Sequence, residues 1–267
     1  MWINLQPSPP SPTTRSRLLL TLLSSLLSSL LCTNTQAAEP LPDIRQFVSQ
    51  PSSQFVIDWR YVRAGHPYKG RRAAQPHTGA HVYFQPPAKR LDPGKPTSYP
   101  PIYAVADAYV ARIDESFKQR EMFNRVLNKR QSNYRYGVTL AIGLKQGQPV
   151  HFHYSIEPMV DPGNVRFYQP FILVKKGQRV RQGQVIAHMY LPDHPQLQAN
   201  SHIHFNLMDT GQREFMAPTI FTDKVNREFH RSWGRRGFDD KQAIPACMGF
   251  RLTAPENPFG TGPQDRQ

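Results

Sequence analysis

The chain has 267 residues, 39% of them hydrophobic, and 33 Lys and Arg outweigh 19 Asp and Glu for a net charge of +14. That surplus creates a long-range field that favours anionic partners without naming one. Of the two cysteines, Cys32 and Cys247, one lies in the N-terminal apolar region, which excludes an internal disulfide framework in the remainder.

Residues 1–17 are polar and rich in Pro and Ser, ending in Arg15 and Arg17. "LLLTLLSSLLSSLL" (18–31) is an uncharged apolar run, followed by "TNTQAAEP", whose small residues suit cleavage after Ala37 or Ala38. The run falls short of the ~20 residues of a permanent membrane helix. Residues 1–37 are therefore read as a signal peptide, with an uncleaved anchor of the same topology as the alternative. Leu31 before Cys32 argues against a lipoprotein site, where a small residue is needed. Removal leaves about 230 residues, one substantial domain with elaborations and no stable transmembrane segment. An exported chain without disulfides fits a bacterial periplasm or secretion into the envelope. Its anionic partners are then peptidoglycan or another envelope polymer, and not nucleic acid.

Residues 38–74 form a Pro-rich extension. Proline fixes φ and removes a donor, so residues 40–101 read as extended connections and turns, with 85–101 a surface loop. Strand patterns follow at 102–113, 136–144, 146–159, 167–174, 184–191 and 202–208. "DESFKQREMFNRVLNKRQ" (114–131) predicts a helix, with Asp114 as its cap and Phe117, Met122, Phe123, Val126 and Leu127 on one face. A shorter helix is expected around 222–232. In "VKKGQRVRQGQVIAHM" (174–189), Gly177 and Gly183 lie six apart in polar turns and suit positions of positive φ. The fold class is mainly β: an antiparallel sandwich or barrel-like core with one inserted helix.

Two fragments carry the chemistry. "HTGAH" spaces His77 and His81 around Gly79, and "HIHF" places His202 and His204 on one face of a strand. His151 and His153 make a second such pair. Taken in order, "HTGAH", "YAVADAYVARI", "VKKGQRVRQGQVIA" and "HIHF" resemble the lysostaphin-type (LytM-like) zinc endopeptidases that cut peptidoglycan cross-bridges. The resemblance covers roughly residues 75–210, with residues 211–267 as a C-terminal extension. It implies a duplicated-hybrid-motif core, a Zn²⁺ ion held by His77, His81 and His204, and His202 assisting catalysis. His81 stands where the family has Asp. A further catalytic His belongs on an earlier strand, where this chain reads "VHFHYSIEPM"; Ser155 or Glu157 falls at that position and His153 two residues before it. His153 and Glu157 are therefore candidate catalytic residues beside His202.

Three functions compete at this stage. The first is a zinc metalloendopeptidase that cleaves peptide cross-links of the wall. The second is a non-catalytic relative that binds the wall or activates another wall hydrolase, motivated by His81 and the unplaced strand His. The third, a carrier or adaptor domain, shares the Gly/Val hairpin but lacks a Met-Lys modification motif, since "AHMY" follows Ile186. His66, His188, His194 and His230 read as structural or surface residues, and Tyr83, Tyr103 and Tyr109 as strand packing.

Overall fold

The computed structural model describes residues 40–68, 79–88, 91–209, 214–236 and 258–259. The signal segment and His77 lie outside the described residues. Apart from Pro40, everything described belongs to one compact unit, Leu41–Gln267.

Ten strands follow one another: β1 (Val62–His66), β2 (Ala80–Phe84), β3 (Pro101–Tyr103), β4 (Ala108–Asn124), β5 (Lys129–Lys145), β6 (Gln148–Glu157), β7 (Arg179–Val180), β8 (Val185–His188), β9 (His202–Asp209) and β10 (Glu214–Met216). Helices α1 (Gln46–Ser49) and α2 (Pro195–Gln198) are single turns, and α3 (Asp223–Arg231) is the longest described helix. The main sheet runs β1-β2-β9-β6-β5-β4-β7, antiparallel throughout, with β10 also on β9; β3 and β8 pair separately. The chain is mainly β, and among the described residues no helix is long and apolar enough to cross a membrane.

Strict alternation gives the sheet two different faces. Val82, Phe84, Val138, Leu140, Phe152, Tyr154, Ile156, Ile203, Phe205 and Leu207 are all buried in one continuous core. Phe205 meets Phe55, Phe152 and Phe229 of α3 through ring contacts of 5.7–5.9 Å. Truncating such a ring costs about 3–5 kcal/mol. Because the side-chain period is two, this apolar set fixes the register and sends the intervening residues to the opposite face. Gln146 and Gly147, at φ 51 and 76, turn β5 into β6 in a two-residue hairpin loop.

The expected helix at 114–131 is instead the far half of the β4–β5 hairpin. Asn124 Oδ1 accepts from the N–H groups of Val126 and Leu127, and Asn128 adopts φ 48, so the helical pattern is broken at its centre by a turn. Phe117, Met122, Phe123 and Leu127, the supposed buried face, are exposed. Helix propensity is a weak prior, and here pairing with β5 overrides it. Residues 167–174 are also no strand: Gln169–Phe171 form a 3₁₀ turn, and Ile172 makes one bridge to Ala187. The short helix near 222–232 is α3, capped by Thr222 Oγ1 accepting from Val225 N–H. Gly177 and Gly183 both adopt φ 82, as their turns require.

Candidate functional site

Cross-strand pairing sets the site's rows. His66 on β1 faces His81 on β2, His81 faces His204 on β9, His204 faces Ser155 on β6, Ser155 faces Gly137 on β5, and Gly137 faces Asp114 on β4. On one side of this row stand Tyr83, His202 and Glu157; on the other stand Asn206, His153, Thr139 and Arg112. All share the face opposite the core, because each is two residues from its neighbour on the same strand. With His151, two residues before His153, a sheet that buries one face has thus collected six of the described histidines on the other.

His81 Nε2 and His204 Nδ1 face each other at 2.8 Å, with ring centroids 4.7 Å apart. Two imidazole nitrogens on one tetrahedral zinc stand about 3.3 Å apart, given Zn–N bonds of about 2.0–2.1 Å. The pair needs to open by only a few tenths of an ångström to share an ion, so these residues fit one. His204 is half-buried, and desolvation pushes its imidazole down to about 3 despite the opposing pull of Glu157. It is therefore neutral, as a ligand must be. Its Nε2 lies 3.4 Å from the Asn206 side-chain amide, whose buried Oδ1 has no partner. Turning that amide over lets Oδ1 accept from Nε2–H, which leaves the Nδ1 lone pair toward His81.

Gly79 is the second feature that fits. The His204 ring packs directly on its α-carbon, and a Cβ there would overlap the imidazole. The Gly of "HTGAH" is therefore required by close approach. Among the described residues, no group of three such side chains closes around one point. The remaining expected ligand, His77, lies outside them.

His202 and Glu157 form the adjoining pair. His202 Nδ1–H donates to the Asn200 carbonyl at 2.7 Å, and Nε2 stands 3.4 Å from Glu157 Oε2. Nε2 thus faces the carboxylate, and the two form an ion pair when the imidazole is protonated. Burial pushes the Glu157 carboxyl up. His202, with Gln119 Nε2 donating at 2.9 Å and Ser155 Oγ at 3.0 Å, more than offsets this and holds it below its ordinary value. Glu157 is thus a buried, ionised carboxylate.

His153 is held differently. Its Nδ1 pairs with Thr139 Oγ1 at 2.9 Å, and burial followed by the Arg112 and Arg135 charges pushes it down to about 4. It is a neutral imidazole one row away from the His81–His204 pair, beside Asn206. The sequence reading missed two neighbours. His66 is buried, its ring 4.8 Å from that of His81 and its Nδ1–H donating to the Pro67 carbonyl at 2.8 Å. The Tyr83 ring lies 5.0 Å from that of His202. His188 and His194 are structural as expected: His188 donates to the Tyr99 carbonyl, and His194 Nδ1 accepts from Gln196 N–H at the start of α2.

No family model and no curated protein sequence matches this chain. Among solved structures it is similar to lysostaphin in solution, at 13% identity and a TM-score of 0.33, over 69% of this chain and 56% of lysostaphin. The chain thus spans little more than half of that protein's length. It is also similar to the SpoIIQ–SpoIIIAH pore-forming complex (16% identity, TM-score 0.32, covering 65% of this chain and 92% of that one). The catalytic domain of the prophage-encoded M23 protein EnpA from Enterococcus faecalis is another neighbour, at 15% identity and TM-score 0.31, over 62% of this chain and 92% of that one.

Proposed function

We propose that this protein is an exported, zinc-dependent endopeptidase that hydrolyses peptide cross-links of bacterial peptidoglycan. The observation that carries the reading is the facing pair His81 Nε2 and His204 Nδ1, 2.8 Å apart and flanked by His202–Glu157. His77, His81 and His204 would hold the ion, with His66 the next imidazole in the row. Bound there, zinc supplies Lewis acidity toward an amide carbonyl and a water of lowered pKa.

The chain's own residues do the rest. Asn206 holds the His204 tautomer. Glu157 faces His202 and aims its ring, so that it can hold a proton near the leaving amine or offset negative charge on a carbonyl oxygen. Mutual positioning of this kind contributes on the order of 10²–10⁴ in rate. Residues 75–210 form the catalytic region on this reading, and the anionic wall meets a strongly basic chain.

The test is the zinc content of protein purified without chelator or a histidine tag, together with release of fragments from purified cell wall. About one zinc per chain, with hydrolysis lost in His204→Ala and on chelation and restored by zinc, is expected. Chelator-insensitive cleavage would overturn the reading. One observation favours a second function: His153 is tied to Thr139 and stands a row from the His81–His204 pair, which argues against its serving as the second catalytic imidazole that the resemblance implies. Wall binding or activation of another hydrolase, without zinc and without turnover, would establish that alternative.

A further inference from the structure

Beyond the histidine row, toward β4, the same face of the sheet holds a cavity of about 270 Å³ lined by Arg112, Asp114, Phe117, Arg135, His153 and Ser155, among others. We propose that this cavity is a carboxylate subsite, which selects peptides bearing a carboxylate about three residues from the bond that is cut.

Its charges are unequally engaged. Asp114 Oδ2 accepts from Arg112 Nη2 at 3.0 Å, so that pair is close to neutral. Glu157 on the next strand is held by His202, Gln119 and Ser155. Among the described residues Arg135 has no carboxylate partner; its guanidinium lies over the Phe117 ring, 4.2 Å from the centroid. Stacking fixes the plane of a guanidinium and leaves its N–H edge for a planar, bidentate acceptor. Both arginines are close enough to the floor of the cavity to depress the His153 imidazole. Neutral His153 adds a polar group there without opposing an anion. A carboxylate matches this set in charge, planarity and size.

Position supplies the rest. Arg135 is on β5, two strand steps from β9, which carries His202 and His204. At about 4.8 Å per step that is roughly 10 Å, or about three residues of extended peptide at ~3.3 Å each. The inference rests on the proposed endopeptidase reading only for where the scissile bond lies; binding at the cavity is independent of the metal.

The experiment is fluorescence anisotropy on the full-length protein, with a labelled alanyl tetrapeptide ending in a free carboxylate and the same peptide as its terminal amide. A bidentate charged contact predicts that the acid binds about tenfold or more tightly than the amide. That ratio should fall to near one in Arg135→Gln, be only partly retained in Arg135→Lys, and be unchanged in Lys176→Gln, which removes an equal charge from a distant exposed turn. Measured on metal-free protein, it should also be unchanged in His204→Ala, which separates the subsite from the metal. A loss of fold would weaken both peptides together and leave the ratio intact, so it cannot imitate the expected result. A ratio near one in the unaltered protein overturns the subsite, as does a ratio that survives Arg135→Gln. Zinc-dependent wall hydrolysis with no acid preference would remove the subsite and leave the endopeptidase reading standing. An acid preference that needs Arg135, without hydrolysis, would do the reverse.

Discussion

Glu157→Gln isolates one charge at the centre of the site. Glu157 Oε2 receives Gln119 Nε2–H and faces His202, and Oε1 receives Ser155 Oγ–H. A glutamine placed with its oxygen at the Oε2 position still accepts from Gln119. Its amide donates to Ser155 Oγ, which can accept as readily as it donates. Shape and both neutral hydrogen bonds survive, and only the attraction to His202 is lost. At 3.4 Å, in an effective dielectric of about 20, a protonated His202 and the carboxylate attract by roughly 5 kcal/mol before desolvation. The side chains are only 12% and 11% exposed, so desolvation offsets much of that, and a charged hydrogen bond contributes about 1.5–3 kcal/mol net. Urea unfolding of the metal-free variant should therefore show a loss of about 2–3 kcal/mol with an unchanged m-value. Nitrogen NMR of the His202 ring should show one proton fewer, with Nδ1–H to Asn200 retained. A stability change under about 0.5 kcal/mol, with His202 doubly protonated in both proteins, would refute the ion pair. It would also remove the role given to Glu157.

Gly79→Ala should leave the fold intact yet weaken zinc binding on the order of 100-fold by pushing the His204 ring off its position; competition with a chromophoric chelator measures it, and unchanged affinity would contradict the close approach. His81→Asp should keep zinc affinity within about tenfold, since carboxylate and imidazole are both zinc ligands, whereas His81→Ala should lose far more. His151, His153 and His188 are all lowered, first by burial, so each is neutral in the folded chain while its unfolded counterpart gains a proton below about pH 6.5. Stability is then full above that pH and falls as the pH drops, by up to about 1.4 kcal/mol per pH unit for each histidine. Urea midpoints of metal-free protein at pH 7 and pH 5 test this, and equal midpoints would refute it.

Much of the strand content was readable because alternation survives over residues 150–157 of β6 and 202–207 of β9, where each inward residue is apolar and each outward residue is polar. The same alternation put His202 and His204 together. What could not be read was the partnership between strands. His66 has no spacing relation to "HTGAH"; it meets His81 only because β1 pairs with β2 at the sheet edge, where Val62, Val82 and Phe84 pack inward and a bulge after Val62 turns Ala64 and His66 to the other face. Tyr83 meets His202 for the same reason. The hairpin at 114–131 was hidden because Phe117, Met122, Phe123, Val126 and Leu127 have a helix-like spacing but no core to face, and the Asn124 turn that interrupts them is purely local. A stronger weight on "NRVLN" as a turn, between two stretches that could pair, was the available signal.

A histidine rather than a carboxylate at position 81 also ties the proposed site to the groove beside it. On the proposed ligand set, three neutral imidazoles leave the full charge of the ion uncompensated by any ligand. His202 and Glu157 cancel each other, and Arg112 and Asp114 do the same. The face from β2 to β5 then carries the charge of the ion together with that of Arg135, about 10 Å apart by strand spacing. Such a surface repels cationic peptides and orients one that carries an anion at its end, with its carbonyls toward the metal. His81→Asp should therefore do two measurable things at once. It should tighten retention of the metal by electrostatics, and it should reduce the on-rate for the acid-ended peptide relative to its amide. If the second effect were absent, the ion and Arg135 would not be acting on a common substrate.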